Sequence, residues 1–182
     1  MTSDEESIRT ILKARAEAIT EGDAKAALAR LANDVVVYDF PPPLVYRGDQ
    51  AKSVESLEEW FNTWDGPVHV SVDQPTIMVS GDLAIAFGLL RMRGTKKKEG
   101  PLDQWSRSTV VLTRRDGDWQ IVHEHLSFPM KMDGSGMAAT DLKPEGCGYD
   151  PSSVSRHKRF ETGEGVLRCR LRGLRFASAE PG

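Results

Sequence analysis

A chain of 182 residues that is 39% apolar can bury one sizeable core but is short for two ordinary enzyme domains, so one domain is expected. A formal charge of -3 gives no general case for nucleic acid, and no apolar run approaches the roughly 18 residues of a membrane span. The acidic start, Met1-Thr2-Ser3-Asp4-Glu5-Glu6, lacks the charged and apolar regions of a signal peptide, so a cytoplasmic location is the expectation. The two cysteines, Cys147 and Cys169, lie late in the chain and read as free thiols.

Ser3 and Glu6 form a capping-box pattern ahead of Ile8, Ile11, Leu12 and Ile19, which predicts a first helix running to about Gly22. Asp23 then caps a short second helix, from Ala24 to Leu31, with Asn33 as its terminator. Val35-Val36-Val37-Tyr38 reads as a strand that must end before Pro41-Pro42-Pro43, whose missing N–H groups exclude a central strand. Asp49 can cap a third helix in which Val54, Leu57, Phe61 and Trp64 recur at helical spacing, until Gly66-Pro67 stops it.

From there the period changes to two. Val68, Val70 and Val72 alternate, residues 76–79 form a second apolar stretch, and Ser80-Gly81-Asp82 makes a turn. Residues 83–92 are apolar at almost every position, as in a strand covered on both faces, and residues 94–100, with Lys96-Lys97-Lys98, read as a solvated loop. A strand over residues 103–115 meets Asp116-Gly117, the dipeptide of a two-residue hairpin. The final strand, in Asp118-Trp119-Gln120-Ile121-Val122-His123-Glu124-His125-Leu126, puts Trp119, Ile121, His123 and His125 on one face and Gln120, Val122, Glu124 and Leu126 on the other. This order of elements, without a βαβ rhythm, is α+β.

The element order, with "EGD" between the first helices, "YDF" at the end of the short strand and "DGDWQIVHEH" near the finish, resembles the SnoaL-like, nuclear transport factor 2-like superfamily over residues 3 to 132. That family includes ketosteroid isomerase, polyketide cyclases, scytalone dehydratase and the association domain of calmodulin-dependent kinase. The resemblance implies a cone: three N-terminal helices on a strongly curved, mostly antiparallel sheet around a cavity. After about Leu142 the pattern dissolves into Pro, Gly and Ser, so the chain is expected to divide into a domain at 1–142 and a basic, disordered extension at 143–182. The resemblance places Asp39 where the isomerase keeps its general base and makes Asp103 similar to its neutral acid, which an apolar site raises in pKa. Counting back from the Asp116-Gly117 turn brings Thr109 nearer to that position than Asp103, and the family's oxyanion-hole tyrosine falls near Arg15.

Across the last hairpin, regular pairing sets Thr109 opposite Glu124 and Arg107 opposite Leu126, so Arg107 and Glu124 share a face. If that face lines the cavity, the pair can fix a ligand carboxylate or carbonyl while Trp105 stacks on its body; otherwise it is a structural ion pair. A single β-bulge would move part of this set across the sheet. His123 and His125 can shuttle protons or offer two metal ligands, but no third ligand has convincing spacing, so no metal is expected. Trp60, Phe61, Trp64, Phe87 and Trp119 are mostly core, with Trp60 also a candidate substrate contact, and Tyr38 and Tyr46 flank the proline loop at the mouth. No GxGxxG or Walker sequence is present, so no cofactor is expected.

Two functions stay open. One is a cofactor-independent isomerase, cyclase or dehydratase acting on a small apolar carbonyl or carboxylate compound, with Asp39 as base and Asp103, His125 or Arg107 polarising the carbonyl. The other is a non-catalytic ligand-binding or assembly module. A homodimer through the sheet face away from the helices is expected in either case. Residues 156–176 hold seven Lys or Arg against two Glu, and Leu167, Cys169 and Leu171 alternate with arginines there, yet the domain is complete without this stretch.

Overall fold

Helix α1 (Ser3–Glu21) forms because apolar side chains fall on one stripe, on which Ile8 is wholly buried and Ala18 nearly so. Asp4, Glu5 and Glu6 occupy its first turn, where the positive end of the helix dipole favours acids. The helix stops at Gly22, whose φ of +76° only glycine adopts at no steric cost, and the Asp23 amide closes the turn on the Ala18 carbonyl at 2.9 Å. Asp23 caps α2 (Ala24–Leu28) by accepting from the Ala26 amide at 2.9 Å. A computed structural model describes residues 3–144 of the chain.

Helix α2 is shorter than its sequence suggests. Leu31, expected in it, is the first residue of β1 (Leu31–Tyr38), because it pairs with Ile121 and buries its side chain with Val35 and Val37. Strand β2 (Tyr46–Arg47) and a short 3-10 turn over Gly48–Gln50 lead to α3 (Val54–Phe61). Ser53, rather than Asp49, caps α3, its hydroxyl accepting from the Ser56 amide at 3.1 Å, while Asp49 sits in the 3-10 turn.

Four long strands follow: β3 (His69–Ser80), β4 (Leu83–Lys96), β5 (Gly100–Arg115) and β6 (Asp118–Ser127). The fold is α+β, with a curved, unclosed sheet in the order β2-β1-β6-β5-β4-β3, antiparallel except for the parallel pair β1–β6. The two apolar stretches around residues 68–79 join into one β3, whose register breaks between Asp73 and Thr76, where Gln74 has a φ of +40° and Pro75 has no N–H to give. Strand β4 extends through Lys96 and so takes up the first half of the expected solvated loop. Asp116 and Gly117, at φ of +53° and +89°, make the hairpin turn as expected.

The core lies between α1 and one face of the sheet, where Ile8, Val35, Leu112 and Ile121 are fully buried. Each such side chain contributes roughly 1.5–3 kcal/mol of hydrophobic stabilisation. Strand β4 sends Ala84 and Ala86 into this core and leaves Leu83 and Phe87 45% and 40% exposed, so the expected covering of both faces does not occur among the described residues.

One irregularity in β6 changes which side chains face inward. Leu112 pairs with Ile121, but Val111 pairs with His123, so Val122 is an extra residue. The inner face therefore carries Trp119 and Ile121, then Glu124, Leu126 and Phe128, where a strict period of two would have brought in His123 and His125. Beyond β6 the chain doubles back at the Met130–Ala138 bridge, and Lys143 donates to the Asp103 carbonyl at 2.6 Å. The basic segment past residue 144, with Cys147, Cys169 and the alternation at 167–172, lies outside the described residues.

Candidate active site

Between the helices and the inner sheet face lies a cavity of about 710 Å³. Its walls are mostly apolar, with Leu12 and Ile19 from α1, Leu57 from α3, Val37 from β1, and Leu90 and Val110 from the sheet. Such a volume suits a small organic molecule. Four charged side chains line it: Arg15, Asp39, Lys96 and Glu124.

Arg15 and Glu124 form a bidentate pair across the cavity wall. The two terminal nitrogens of Arg15 donate to the two carboxylate oxygens of Glu124 at 2.8 and 2.7 Å. Glu124 is buried, on β6 between Val37 of β1 and Val110 of β5, and the Arg15 side chain is 19% exposed. Burial by itself lowers the Arg15 pKa, but the charge and hydrogen bonds of Glu124, with a smaller pull from Asp39, outweigh it and hold the guanidinium above its ordinary value. Arg15 Nε is buried with no hydrogen-bond partner among the described residues.

Asp39 follows directly on β1 and lines the same cavity. Removal from water raises its pKa; the Phe40 amide, donating to Oδ1 at 2.7 Å, opposes the rise, the Glu124 charge adds to it, and Arg15 opposes it. Water still reaches much of the residue across the open mouth, while the protein surrounding the cavity keeps bulk solvent from the rest. Phe40 stacks on Phe128 with ring centres 4.3 Å apart, and Tyr46 donates to the Pro42 carbonyl at 2.7 Å, so both aromatics that flank Asp39 at the mouth are held in place.

Of the residues singled out in the sequence, the structure brings Asp39, Tyr46, Trp60, Trp64 and Glu124 to the cavity, and not Tyr38, Asp103, Trp105, Arg107 or His125. The Val122 bulge decides the β6 residues, bringing Glu124 in opposite Val110 instead of Thr109 and turning His125 out, while Asp103, Trp105 and Arg107 alternate with the buried Ser108, Val110 and Leu112 of β5 and so face outward, Arg107 exposed opposite Ser127. The expected Arg107–Glu124 pair does not form, and the cationic partner of Glu124 is Arg15. Asp103 lies on the same outer face, gripped by Arg91 at 2.8 and 2.6 Å, and that hydrogen bonding holds its carboxyl below the usual range, opposite to the expected rise. Arg91 also lies over the Trp105 ring. Tyr38 meets His123 and His125 edge-on at 4.9 and 5.7 Å, and His123 Nδ1 lies 2.8 Å from the Val36 carbonyl, which requires a proton on that nitrogen.

Arg15 and Lys96 are the charged cavity residues that the sequence did not single out for chemistry. For Arg15 a signal was present: it lies on the Ile8, Leu12, Ile19 stripe of α1, where an arginine has no place unless something buried pairs with it. Lys96 had no such signal, since three consecutive lysines ahead of Glu99-Gly100 read as solvent-facing.

Residues 8–131 match the family model of the SnoaL-like domain. Among solved structures, an NTF2-like protein of unknown function from Pseudomonas putida KT2440 is 30% identical, with a TM-score of 0.69 over 79% of this chain and 99% of that one. A Shewanella frigidimarina protein provisionally named a ketosteroid isomerase is 23% identical, with a TM-score of 0.52 over 65% of this chain and 92% of its own. The association domain of C. elegans CaMKII is 19% identical, with a TM-score of 0.53 over 69% and 95% of the two chains. The last two show a common fold. No helix among the described residues is long and apolar enough to cross a membrane. With its cavity, its helices on one sheet face and the match over residues 8–131, the chain belongs to the SnoaL-like family of the nuclear transport factor 2-like superfamily.

Proposed function

We propose that this protein performs cofactor-independent acid-base chemistry on a small, mostly apolar carbonyl compound. The observation that carries the reading is the placement of Asp39 beside the Arg15 guanidinium on the wall of a largely apolar cavity, where loss of water favours a raised carboxyl pKa. As a carboxylate it takes a proton from the carbon beside the carbonyl; the C–H electron pair moves to the carbonyl oxygen as an enolate, and the proton returns at another carbon or assists departure of a leaving group. Arg15, a fixed cation beside Asp39, stabilises the developing oxyanion through N–H groups that Glu124 leaves unused, while Glu124 holds the guanidinium in position. The neighbour provisionally named a ketosteroid isomerase supports this class of reaction.

Steroid enones, polyketide-like phenols and short hydroxy acids are the panel for thermal shift and then turnover. On any substrate found, Asp39→Asn lowers kcat by about 10²–10⁴-fold with little change in KM, because a general base acts on the transition state. An unchanged kcat removes Asp39 as the base.

The Arg15–Glu124 pair also favours a second reading. Where the isomerase has a tyrosine, this cavity has an internally neutralised ion pair, which suits ligand sensing or assembly without turnover. Binding across the panel with no turnover selects it. In either reading we place a homodimer contact on the outer sheet face, where Phe87, Leu83 and Met78 are 40–52% exposed, and the fold shared with an association domain supports assembly.

A further inference from the structure

Lys96 is the last residue of β4, and backbone contacts join that end to the segment after α3: Trp64 and Lys96 form an isolated bridge, the Lys97 amide donates to the Thr63 carbonyl at 3.0 Å, and the Asp65 amide to the Thr95 carbonyl at 2.7 Å. The side chain is held as firmly. Nζ donates to the Thr63 hydroxyl at 2.7 Å and lies 4.2 Å from the centre of the Trp64 ring and 5.5 Å from that of Trp60. Trp64 cannot yield, because it is 3% exposed and packs flush against Gly94.

Lys96 is one of the residues lining the cavity that Asp39, Arg15 and Glu124 also line, and its ammonium is only partly withdrawn from solvent. Arg15 and Glu124 neutralise each other, whereas no carboxylate among the described residues forms an ion pair with Lys96. One of its three N–H donors goes to Thr63. Partial burial depresses its pKa, with Glu99 pulling the other way from longer range, so the cation sits where a counter-charge would be welcome. The two poles are far apart along the sheet: Lys96 pairs with Gly100 at the start of β5, and Tyr38, just before Asp39, is level through His125 with Thr109.

We infer that Lys96, backed by Trp60 and Trp64, is an anion-binding subsite, so that the ligand is an elongated amphiphile: an apolar body along the cavity, a reactive carbonyl at Asp39, and a carboxylate or similar anionic group at Lys96. The inference rests on the reading of the cavity as a ligand site and adds the ligand's charge and shape to it. Two fluorescent probes that differ only by one anionic sulfonate group test it on the full chain: anilinonaphthalene sulfonate, and phenylnaphthylamine, which lacks it. Lys96→Met weakens the sulfonate probe by about tenfold, as loss of one charge-assisted hydrogen bond does, and leaves the neutral probe unchanged, which also shows that the variant is folded. Lys96→Arg restores most of the loss. If the sulfonate loses no more than the amine, or if the wild type binds only the amine, Lys96 is not an anion site and the cavity reading stands. If the wild type binds neither probe, both fall.

Discussion

Arg15 of α1 and Glu124 of β6 are 109 residues apart in sequence and joined by two hydrogen bonds of 2.8 and 2.7 Å in the wall of the cavity. The pair fastens the first helix to the last strand; removing Arg15 alone leaves buried Glu124 near Asp39 without its cation, and removing Glu124 alone leaves Arg15 only the weaker pull of Asp39. Arg15→Met or Glu124→Leu by itself is therefore expected to destabilise by about 3 kcal/mol, while the double variant costs clearly less than the sum. Urea denaturation of the three variants measures this, and simple additivity would show that the two residues act independently.

The raised pKa of Asp39 makes stability depend on pH in a stated direction. The folded chain holds this proton more tightly than the unfolded chain, whose carboxyl titrates near about 3.9, so the wild type loses stability as pH rises from there through the higher folded value. Asp39→Asn carries no charge in either state and escapes that loss. Its melting temperature relative to wild type is expected to be higher at about pH 7 than at about pH 3.5. A difference that does not change with pH, or changes the other way, contradicts the raised value.

Gly94 is a place where no side chain fits. A Cβ there would come within 2.9 Å of Trp64 Cε3 and 3.2 Å of the Pro67 carbonyl oxygen, one a buried ring and the other backbone. Gly94→Ala is expected to cost about 1–3 kcal/mol and to shift tryptophan fluorescence. Unchanged unfolding and emission would mean that Trp64 has room to move.

For assembly, light scattering at micromolar concentration is expected to give twice the chain mass, and Phe87→Glu, on the outer face, to reduce it to a monomer. A monomeric wild type removes the proposed dimer.

What the sequence made legible was what depends on neighbours in the chain. Gly22 ends α1, Asp23 caps α2, Asp116-Gly117 turns the last hairpin, and Asp39 stands at the end of a strand closed by prolines; each follows from the φ, the donor or the ring of a few residues. The site was legible only in part because its composition depends on pairing at a distance. Val122 reads like any other apolar strand residue, yet its insertion opposite the Val111–Leu112 step decides that Glu124 turns inward and His125 outward. Lys96 joins the cavity because β4 stays paired with β5 as far as Lys96 and Gly100, four residues past Met92, where the apolar run ends. Arg15 was the exception: its place on an apolar stripe was visible, and only its partner was not.

Strand β3 ends the sheet on one side, with its outer row of amides and carbonyls unclaimed by any other described strand. A twelve-residue edge strand can template open-ended growth, one chain adding to the next, although α1 packs against this strand. Here the row is interrupted near its middle by Gln74, turned to a positive φ, and by Pro75, which has no hydrogen to offer. An incoming strand would find two short, misaligned footholds in place of one long one. Copies of this chain are thereby steered away from fibre-like addition at the edge, and replacing Pro75 would remove part of that protection.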